Sequence, residues 1–169
     1  MLKTMMRLKP LTTCLLALVM MTSAGCGFHL QGSYSIPPEL KVLSLQTQDE
    51  YSELSRLVSE RLRLHNISVQ PVSKDLPRLT LIKDSLERST LSLYATGNVA
   101  EYELIYHVDF SVALPNKEAQ KFSTEIRRDY QDDPRTALAK SREMTLLVKE
   151  MRAQAADYII QTLASTEVN

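Results

Sequence analysis

Glycine and cysteine are scarce in this chain of 169 residues, and the scarcity limits the chemistry that the chain can perform. Four glycines are present, and two of them, Gly25 and Gly27, lie close together near the N-terminus. Loops that cradle phosphate groups need clustered glycines, so the sequence argues against a nucleotide-binding loop. The G-x-S-x-G sequence of many hydrolases is also absent, as are other common catalytic signatures. The sequence therefore predicts that the chain is not an enzyme.

Histidine is also rare, and its three copies do not have the pattern of a metal site. His29, His65 and His107 fall in separate segments, without the spacing of metal ligands. Glu101 and Glu103 would share one face of a strand, as a catalytic pair of carboxylates could. Charged side chains on a solvated strand face are far commoner, and we favour that interpretation. We expect no metal ion and no catalytic residue.

Long apolar runs are missing from most of the chain, and one short run lies near the N-terminus. It covers 11 residues from Leu11 to Met21, whereas a helix that spans a bilayer needs about 20. Three basic residues precede it, and the small residues 22–25 follow it. A positive start, a short apolar core and a small-residue exit are the parts of a secretory signal. Residues 1–25 are therefore predicted to be a cleaved signal peptide rather than a buried helix.

The end of this leader, Ser23-Ala24-Gly25-Cys26, resembles a bacterial lipobox. The resemblance implies that signal peptidase II cuts before Cys26, which carries a diacylglycerol on its sulfur and an N-terminal acyl chain. Ser23 stands where the lipobox usually has leucine, and Gly27 is not the aspartate that tends to retain lipoproteins in the inner membrane. The expected location is the outer membrane, with the chain anchored by lipid and facing the periplasm. Beyond these acyl chains we expect no cofactor.

Removal of the leader changes the charge balance and the cysteine count. The remaining 144 residues hold 17 basic and 20 acidic residues, which gives a net charge of −3. Nucleic-acid binding needs a concentrated basic surface, so we expect no nucleic-acid partner. Cys14 leaves with the leader, and Cys26 then has no partner for an intramolecular disulfide. Stability must come from packing or from a protein partner.

The mature chain divides into a tether and one domain. Residues 26–39 include two prolines together with glycine and serine, a composition that continues neither a helix nor a strand. These residues are predicted to be the lipidated N-terminus and its tether. Residues 40–169 are enough for a single domain with a sizeable core.

The domain begins with the pattern of a strand, a helix and a second strand. Leu40 to Gln46 alternates weakly, and residues 67–70 resume an extended pattern. Asp49 is the expected helix cap and Asn66 the expected end. A crossover of this length makes the two strands parallel. The buried side of the helix is predicted to contain Tyr51, Leu54, Val58 and Leu62.

Three longer strands are expected after this crossover. Leu79 to Leu93 changes the parity of its apolar positions, which indicates bulges. Thr96-Gly97-Asn98 and Pro115-Asn116-Lys117 have the composition of turns, and a last strand runs from Phe122 to Tyr130. The strand between the turns alternates without a break. Its core face is predicted to contain Tyr102, Leu104, Tyr106, Val108, Phe110, Val112 and Leu114.

A long helix is expected to close the domain. Asp133 is its predicted cap, Pro134 its first residue, and its end falls near Ala164. The buried stripe of this helix is predicted to contain Met144, Val148, Met151, Ala155, Tyr158 and Thr162. The predicted fold class is α+β, with two helices packed on one face of a mixed sheet of about four strands.

Two basic pairs are candidates for phosphate contact. Arg127-Arg128 lies on a predicted strand, and Lys140 and Arg142 lie near the start of the last helix. Guanidinium and ammonium groups bind phosphate through charge-assisted hydrogen bonds. A solvated charged surface is the commoner explanation of such residues when the pattern is considered alone.

Several short segments carry a family resemblance through their order and spacing. They are CGFHLQG at 26–32, AEYE at 100–103, DP at 133–134 with ALAK at 137–140, and VKEM at 148–151. Together they resemble the LptE family of lipopolysaccharide-assembly lipoproteins, over nearly the whole mature chain. The resemblance implies two helices on a four-stranded sheet. It also implies a protein that plugs the β-barrel LptD in a one-to-one complex, helps that barrel to assemble and binds lipopolysaccharide during its delivery to the outer leaflet.

The same resemblance assigns individual residues. Lys140 matches a lysine associated with lipopolysaccharide binding, whereas Arg142 stays a second candidate from the basic pair at the start of the helix. Ala95 replaces a basic residue that the family can carry before the first hairpin turn, and Gln31 stands where arginine is common. Two other classes stay open. A generic envelope lipoprotein, acting as a structural linker or lipid chaperone, would lack the barrel partner, and a periplasmic hydrolase would need a nucleophile and a base.

Overall fold

The computed structural model describes residues 35–166. The predicted signal peptide at 1–25, most of the tether, and the predictions for Cys26, His29 and Gln31 lie outside the described residues. Short 3-10 turns occupy Pro38–Leu40 and Pro134–Thr136. The strands and helices of the described chain are β1 Val42–Thr47, α1 Glu53–Leu64, β2 Ser68–Gln70, β3 Arg78–Leu93, β4 Val99–Ala113, β5 Gln120–Gln131 and α2 Ala137–Ser165.

The strands form one mixed sheet in the order β2-β1-β3-β4-β5. β1 lies parallel to both β2 and β3, whereas β3 with β4 and β4 with β5 are antiparallel pairs. The predicted α+β class is confirmed, with five strands instead of about four. The expected extended segment at residues 67–70 is β2, and it pairs in parallel with residues 42–44, as the crossover predicted. Counting this short edge strand with the other four gives five.

Both helices contribute to a single hydrophobic core on one face of the sheet. Burying one large aliphatic side chain in such a core contributes about 1.5–3 kcal/mol. The predicted alternation of β4 is confirmed by five buried residues, which are Leu104, Tyr106, Val108, Phe110 and Val112. The opposite side of the sheet is polar, and we call it the open face. It is represented by Glu101, Glu103, His107 and Asp109 of β4 and by Glu125 and Arg127 of β5.

Helix α1 begins later than its predicted cap. Ser52 Oγ accepts a hydrogen bond from the backbone N–H of Ser55 at 3.1 Å, whereas Asp49 Oδ1 accepts one from the N–H of Tyr51 at 2.8 Å. The prediction that Asp49 caps the helix is wrong, because its carboxylate closes a turn before the helix. Tyr51 therefore lies outside the helix and is 89% exposed, so it is not part of the buried stripe. The predicted end is confirmed, since Asn66 has a left-handed φ of 57°.

Strand β3 contains bulges, as its changing apolar parity predicted. Leu81 and Lys83 pair with Phe110 and Asp109, which are neighbours on β4, so Ile82 is an extra residue in β3. Odd-numbered residues face the helices before this bulge, and even-numbered residues face them after it. Two further register shifts lie near the end of the strand.

Both predicted hairpin turns are present. The N–H of Gly97 donates to the carbonyl oxygen of Tyr94 at 2.8 Å, and Gly97 has a φ of +85°, which a residue with a side chain rarely adopts. The second turn is closed by the N–H of Lys117 donating to the carbonyl oxygen of Leu114 at 3.1 Å. Asn116 supplies the left-handed φ of 60° there. These turns place β4 between two long antiparallel neighbours.

Asp133 was predicted to cap the last α-helix with Pro134 as its first residue, but it caps the 3-10 turn Pro134–Thr136, and α2 begins only at Ala137. The Asp133 carboxylate accepts a hydrogen bond from the N–H of Arg135 at 3.0 Å, and the α-helix then runs for 29 residues. Tyr158, predicted to lie in the buried stripe, is 39% exposed, although its ring meets that of Phe110 edge-on at 6.3 Å. The buried members of the predicted stripe are Val148, Met151, Ala155 and Thr162. Neither helix of the described chain is long and apolar enough to cross a membrane.

Candidate functional site

Lys140 lies in the first turn of α2, above the edge strand β5. Its Nζ donates a hydrogen bond to Glu143 Oε2 at 2.8 Å and lies 5.4 Å from the centroid of the Tyr130 ring. The side chain is 19% exposed. A cation over an aromatic face is attracted by the negative potential of the ring. The Lys140 ammonium is therefore held in place by an aromatic ring and a carboxylate.

The surroundings of Lys140 favour its charged form. The hydrogen bond to Glu143 raises the pKa of Lys140, against an opposing effect of partial burial. Burial raises the pKa of Tyr130, so the phenol beneath the lysine stays protonated. Lys140 thus presents a full positive charge at neutral pH, which an anionic ligand requires.

Arg142, the second predicted contact, is not brought next to Lys140. Residues two positions apart on a helix do not face each other. Arg142 is exposed, and within residues 35–166 it makes no hydrogen bond or ion pair. The helix therefore turns Lys140 towards β5 and leaves Arg142 in solvent.

The arginine pair of β5 is divided between the two faces of the sheet. Arg127 lies on the open face, where it donates hydrogen bonds to Glu103 at 2.8 Å and to Glu125 at 2.6 Å. These bonds raise the pKa of Arg127, with the Glu125 bond contributing most. Arg128 lies on the helix side and donates to Gln154 Oε1 at 2.7 Å. Both guanidinium groups are thus engaged within the fold.

The carboxylates considered as a catalytic pair have separate partners. Glu101 accepts a hydrogen bond from Ser92 Oγ at 2.9 Å, and Glu103 forms its ion pair with Arg127. The arrangement is that of an ordinary polar strand face.

His107 has two polar neighbours on the open face. Its Nε2 lies 3.1 Å from Asp109 Oδ1 and 3.3 Å from Ser123 Oγ. A Ser-His-Asp triad needs the carboxylate and the hydroxyl on different ring nitrogens, so this cluster is not a hydrolase triad. No group of three or more metal-ligating side chains occurs in the part of the chain that the structure describes.

The sequence did not predict a row of three cation–tyrosine pairs on the helix side of the sheet. Lys140 over Tyr130 is one pair. Arg88 Cζ lies 5.5 Å from the Tyr102 ring centroid, and Arg152 Cζ lies 5.8 Å from the Tyr106 ring centroid. We call these six residues the tyrosine row. The alternation of β4 and β5 places the tyrosines on one face, but the cations come from β3 and α2, which are distant in sequence.

The Arg152–Tyr106 pair of the tyrosine row contacts both helices. Arg152 of α2 forms an ion pair with Glu53 of α1. The Tyr106 hydroxyl donates a hydrogen bond to Asp84 Oδ2 at 2.7 Å. Burial, followed by this hydrogen bond, raises the pKa of Tyr106. The charge of Arg152 is therefore balanced within the fold.

Comparison with known proteins identifies the family. The family model for LptE, described as lipopolysaccharide-assembly, matches residues 40–163. The chain belongs to the LptE family. Among curated LptE proteins, that of Yersinia enterocolitica is 40% identical over 151 residues, covering 88% of this chain and 73% of the relative. The LptE of Yersinia pestis strain Pestoides F is 37% identical over 153 residues, covering 89% and 74%. Both are named LPS-assembly lipoprotein LptE.

Solved structures agree with the LptE assignment. Rare lipoprotein B from Shewanella oneidensis is 73% identical, with a TM-score of 0.71, over 76% of this chain and 97% of that one. Lipoprotein B from Nitrosomonas europaea is 19% identical, with a TM-score of 0.66, over 82% and 91%, and shows the fold alone. Membership of the LptE family supports a role in lipopolysaccharide assembly as an envelope lipoprotein. It also confirms the resemblance on which the choice of Lys140 depends.

Proposed function

We propose that this protein is a noncatalytic outer-membrane lipoprotein that plugs the LptD β-barrel in a one-to-one complex and assists its assembly. The observation that carries this proposal is the match to the LptE family model over residues 40–163, which includes every strand of the described sheet. Acyl chains on Cys26 would hold the domain at the membrane, facing the periplasm. More than one chain is needed for stable anchoring, because a single acyl chain binds a bilayer only weakly.

The barrel partner is supported by the two-sided character of the sheet. One face is covered by the helices, whereas the open face carries Glu103, Glu125 and Arg127 in a charged network. Paired charges of this kind contribute little to the stability of a free domain. At an interface, complementary charges select the partner and fix the orientation of docking. The open face is therefore the surface that we assign to the wall of the barrel.

Lipopolysaccharide binding is the second part of the proposal, and it centres on Lys140. Lipopolysaccharide carries phosphate groups, for which a fixed ammonium group is a suitable partner. Lys140 is charged and held above Tyr130, whereas Arg142 is exposed and unrestrained. We accordingly assign the main contact to Lys140 and a peripheral one to Arg142.

Quantitative copurification tests the barrel partnership. The full-length protein would be captured from detergent-solubilised outer membranes, and both components would be quantified by mass spectrometry. We expect LptD in equimolar amount. Recovery of the protein from the outer membrane without the barrel would overturn the plug assignment and favour a generic envelope lipoprotein.

A further inference from the structure

Arg88 is the cation of the tyrosine row that has no carboxylate partner. Arg152 pairs with Glu53 and Lys140 with Glu143, whereas Arg88 makes no ion pair within residues 35–166. Its contact there is with the face of the Tyr102 ring. An exposed guanidinium supported by a ring, and not neutralised by an acid, is available to an anion from outside the fold.

Arg88 and Lys140 stand on either side of one tyrosine pair. Tyr102 and Tyr130 are directly opposite each other across β4 and β5. Side chains opposite each other in an antiparallel pair have Cβ atoms about 5 Å apart. Burial raises the pKa of Tyr130, and the positive charges of both Lys140 and Arg88 act against this shift. The two cations therefore act on the same small region of the surface.

An apolar groove lies beside this pair of cations. It has a volume of about 290 Å³, and its apolar lining consists of Leu86, Met144 and Val148. Leu86 precedes Arg88 by two residues on the same face of β3, and Met144 follows Lys140 by one helical turn. Pockets for whole small ligands have volumes of about 300–1,000 Å³. The groove is thus suited to a single apolar chain rather than to a complete amphiphile.

We infer that Arg88 and Lys140 form a two-pronged site for the phosphates of a lipid, and that the groove beside them takes one acyl chain of the same molecule. The inference rests on the lipopolysaccharide binding proposed above, and it names a second cation and an apolar subsite. The two cations adjoin the apolar groove, as the phosphate groups and acyl chains of a phosphorylated lipid adjoin each other. Lys149 adds a positive charge to the lining of the groove, whereas the charge of Arg152 there is balanced by Glu53.

Removal of each charge in the full-length protein, purified in detergent, tests the phosphate site. Binding of labelled lipopolysaccharide would be compared for wild type, Arg88→Gln, Lys140→Gln and the double variant. Charge-assisted hydrogen bonds are strong enough for each single change to weaken binding about ten-fold. Arg56→Gln is the matched control, because Arg56 is an exposed cation on the outer side of α1. We expect less than about two-fold change for that control, since isolated surface charges contribute little.

Dephosphorylated lipopolysaccharide identifies the groups that the cations bind. The wild type should bind it more weakly, and Arg88→Gln should cause no further loss with this probe. An equal loss with both probes would overturn the phosphate assignment. Circular dichroism of each variant separates lost contacts from lost folding.

Met144→Gln tests the acyl subsite, because it makes the groove polar with little change in side-chain size. Loss of one apolar contact of this size should weaken binding of intact lipopolysaccharide about five-fold. Deacylated lipopolysaccharide and inorganic pyrophosphate should bind Met144→Gln and wild type equally, and weakly, which distinguishes a lipid headgroup from a free phosphate. Equal binding of intact lipopolysaccharide to Met144→Gln and wild type would overturn the acyl subsite.

Failure of the proposed ligand and failure of the two-pronged site give different results. If the wild type does not bind lipopolysaccharide, both the proposed ligand and this site are wrong. If the wild type binds and Arg88→Gln behaves like Arg56→Gln, the proposed function stands and the two-pronged site is wrong.

Discussion

The Tyr106 hydroxyl, on a fully buried side chain, donates a 2.7 Å hydrogen bond to the Asp84 carboxylate across β3 and β4. Asp84 is reached because the bulge at Ile82 turns it towards the helix side of the sheet. A buried hydroxyl needs such a partner, since an unsatisfied one would carry the full cost of its desolvation. The bond joins the core of β4 to the exposed half of β3, beside the tyrosine row.

Replacing this hydroxyl should measurably destabilise the fold. We expect Tyr106→Phe to lower the free energy of unfolding by about 2 kcal/mol, because one hydrogen bond to a charged acceptor is lost. Urea unfolding followed by circular dichroism measures the change. Tyr102→Phe is the control, because its hydroxyl makes no hydrogen bond in the described part of the chain. Equal effects of the two changes would contradict the assigned role of the bond.

The same tyrosine predicts a stability change at alkaline pH. Burial raises the pKa of Tyr106 above the ordinary value of 10.0. The unfolded chain therefore loses this proton first as the pH rises, and the stability contribution is fully present below about pH 10 and declines above it. Urea midpoints at pH 8 and about pH 11 should differ more in the wild type than in Tyr106→Phe. An identical decline in both proteins would show that other groups cause it.

Charge reversal at Lys140 tests the assigned contact with lipopolysaccharide. Lys140→Glu should weaken binding at low salt, and the difference from wild type should shrink at high salt because the contact is electrostatic. Arg142→Glu makes the same charge change on the exposed side of the helix and should have a smaller effect. Binding would be measured with folded, purified variants at both salt concentrations. Equal losses in the two variants would indicate a response to net charge rather than a contact at Lys140.

A charge reversal on the open face should weaken binding to LptD without affecting binding to lipopolysaccharide. Glu103→Lys places a positive charge beside Arg127 and reverses the charge at one position of the surface that we assign to LptD. Copurified LptD should fall several-fold, while binding of lipopolysaccharide on the other side of the sheet stays unchanged. Glu60→Lys, on the exposed side of α1, is the charge-matched control. Retention of LptD by Glu103→Lys would argue against the open face as the contact.

The proposed anchor separates membrane attachment from binding. Cys26→Ala, secreted normally, should lose its acyl chains, so that the molecules not bound to LptD are recovered in the soluble periplasmic fraction. It should still bind LptD and lipopolysaccharide in detergent, because the contacts that we assign lie beyond Leu40. Mass spectrometry of the N-terminus and fractionation of the cells measure the two effects. Recovery of the variant in the outer membrane without acylation would show that the barrel alone retains it.

The sequence predicted those features of the fold that depend on local pattern. The alternation of β4 identified its buried face, and the parity changes of Leu79 to Leu93 identified a bulged strand. The start of α1 was misplaced because Asp49 and Ser52 are both suitable caps, and the choice depends on which N–H each one reaches. The edge strand β2 and its parallel pairing with β1 were predicted from the extended pattern of residues 67–70 and the length of the crossover.

The candidate site was predictable in part, through Lys140 and its family resemblance. Its surroundings were not, because they depend on the register of three strands and on the angle at which α2 crosses them. Arg88 and Lys140 are separated by 52 positions, and no local pattern relates them. The pairing of Tyr102 with Tyr130 brings them together. Arg142 is only two positions from Lys140 in sequence but lies on another side of the helix.

The extra residue Ile82 decides which side chains of distal β3 face the side of the sheet on which we place the lipid site. Had β3 continued its alternation from Leu81, Lys83 and Glu87 would point towards the helices, and Leu86 and Arg88 would point to the opposite side. The groove beside α2 would then lose Leu86 from its lining, and Glu87 would face the same side and repel a phosphate group. A single inserted residue thus keeps the apolar residues of β3 on the helix side along its length, with Leu79 and Leu81 in the core and Leu86 beside the groove that we assign to an acyl chain.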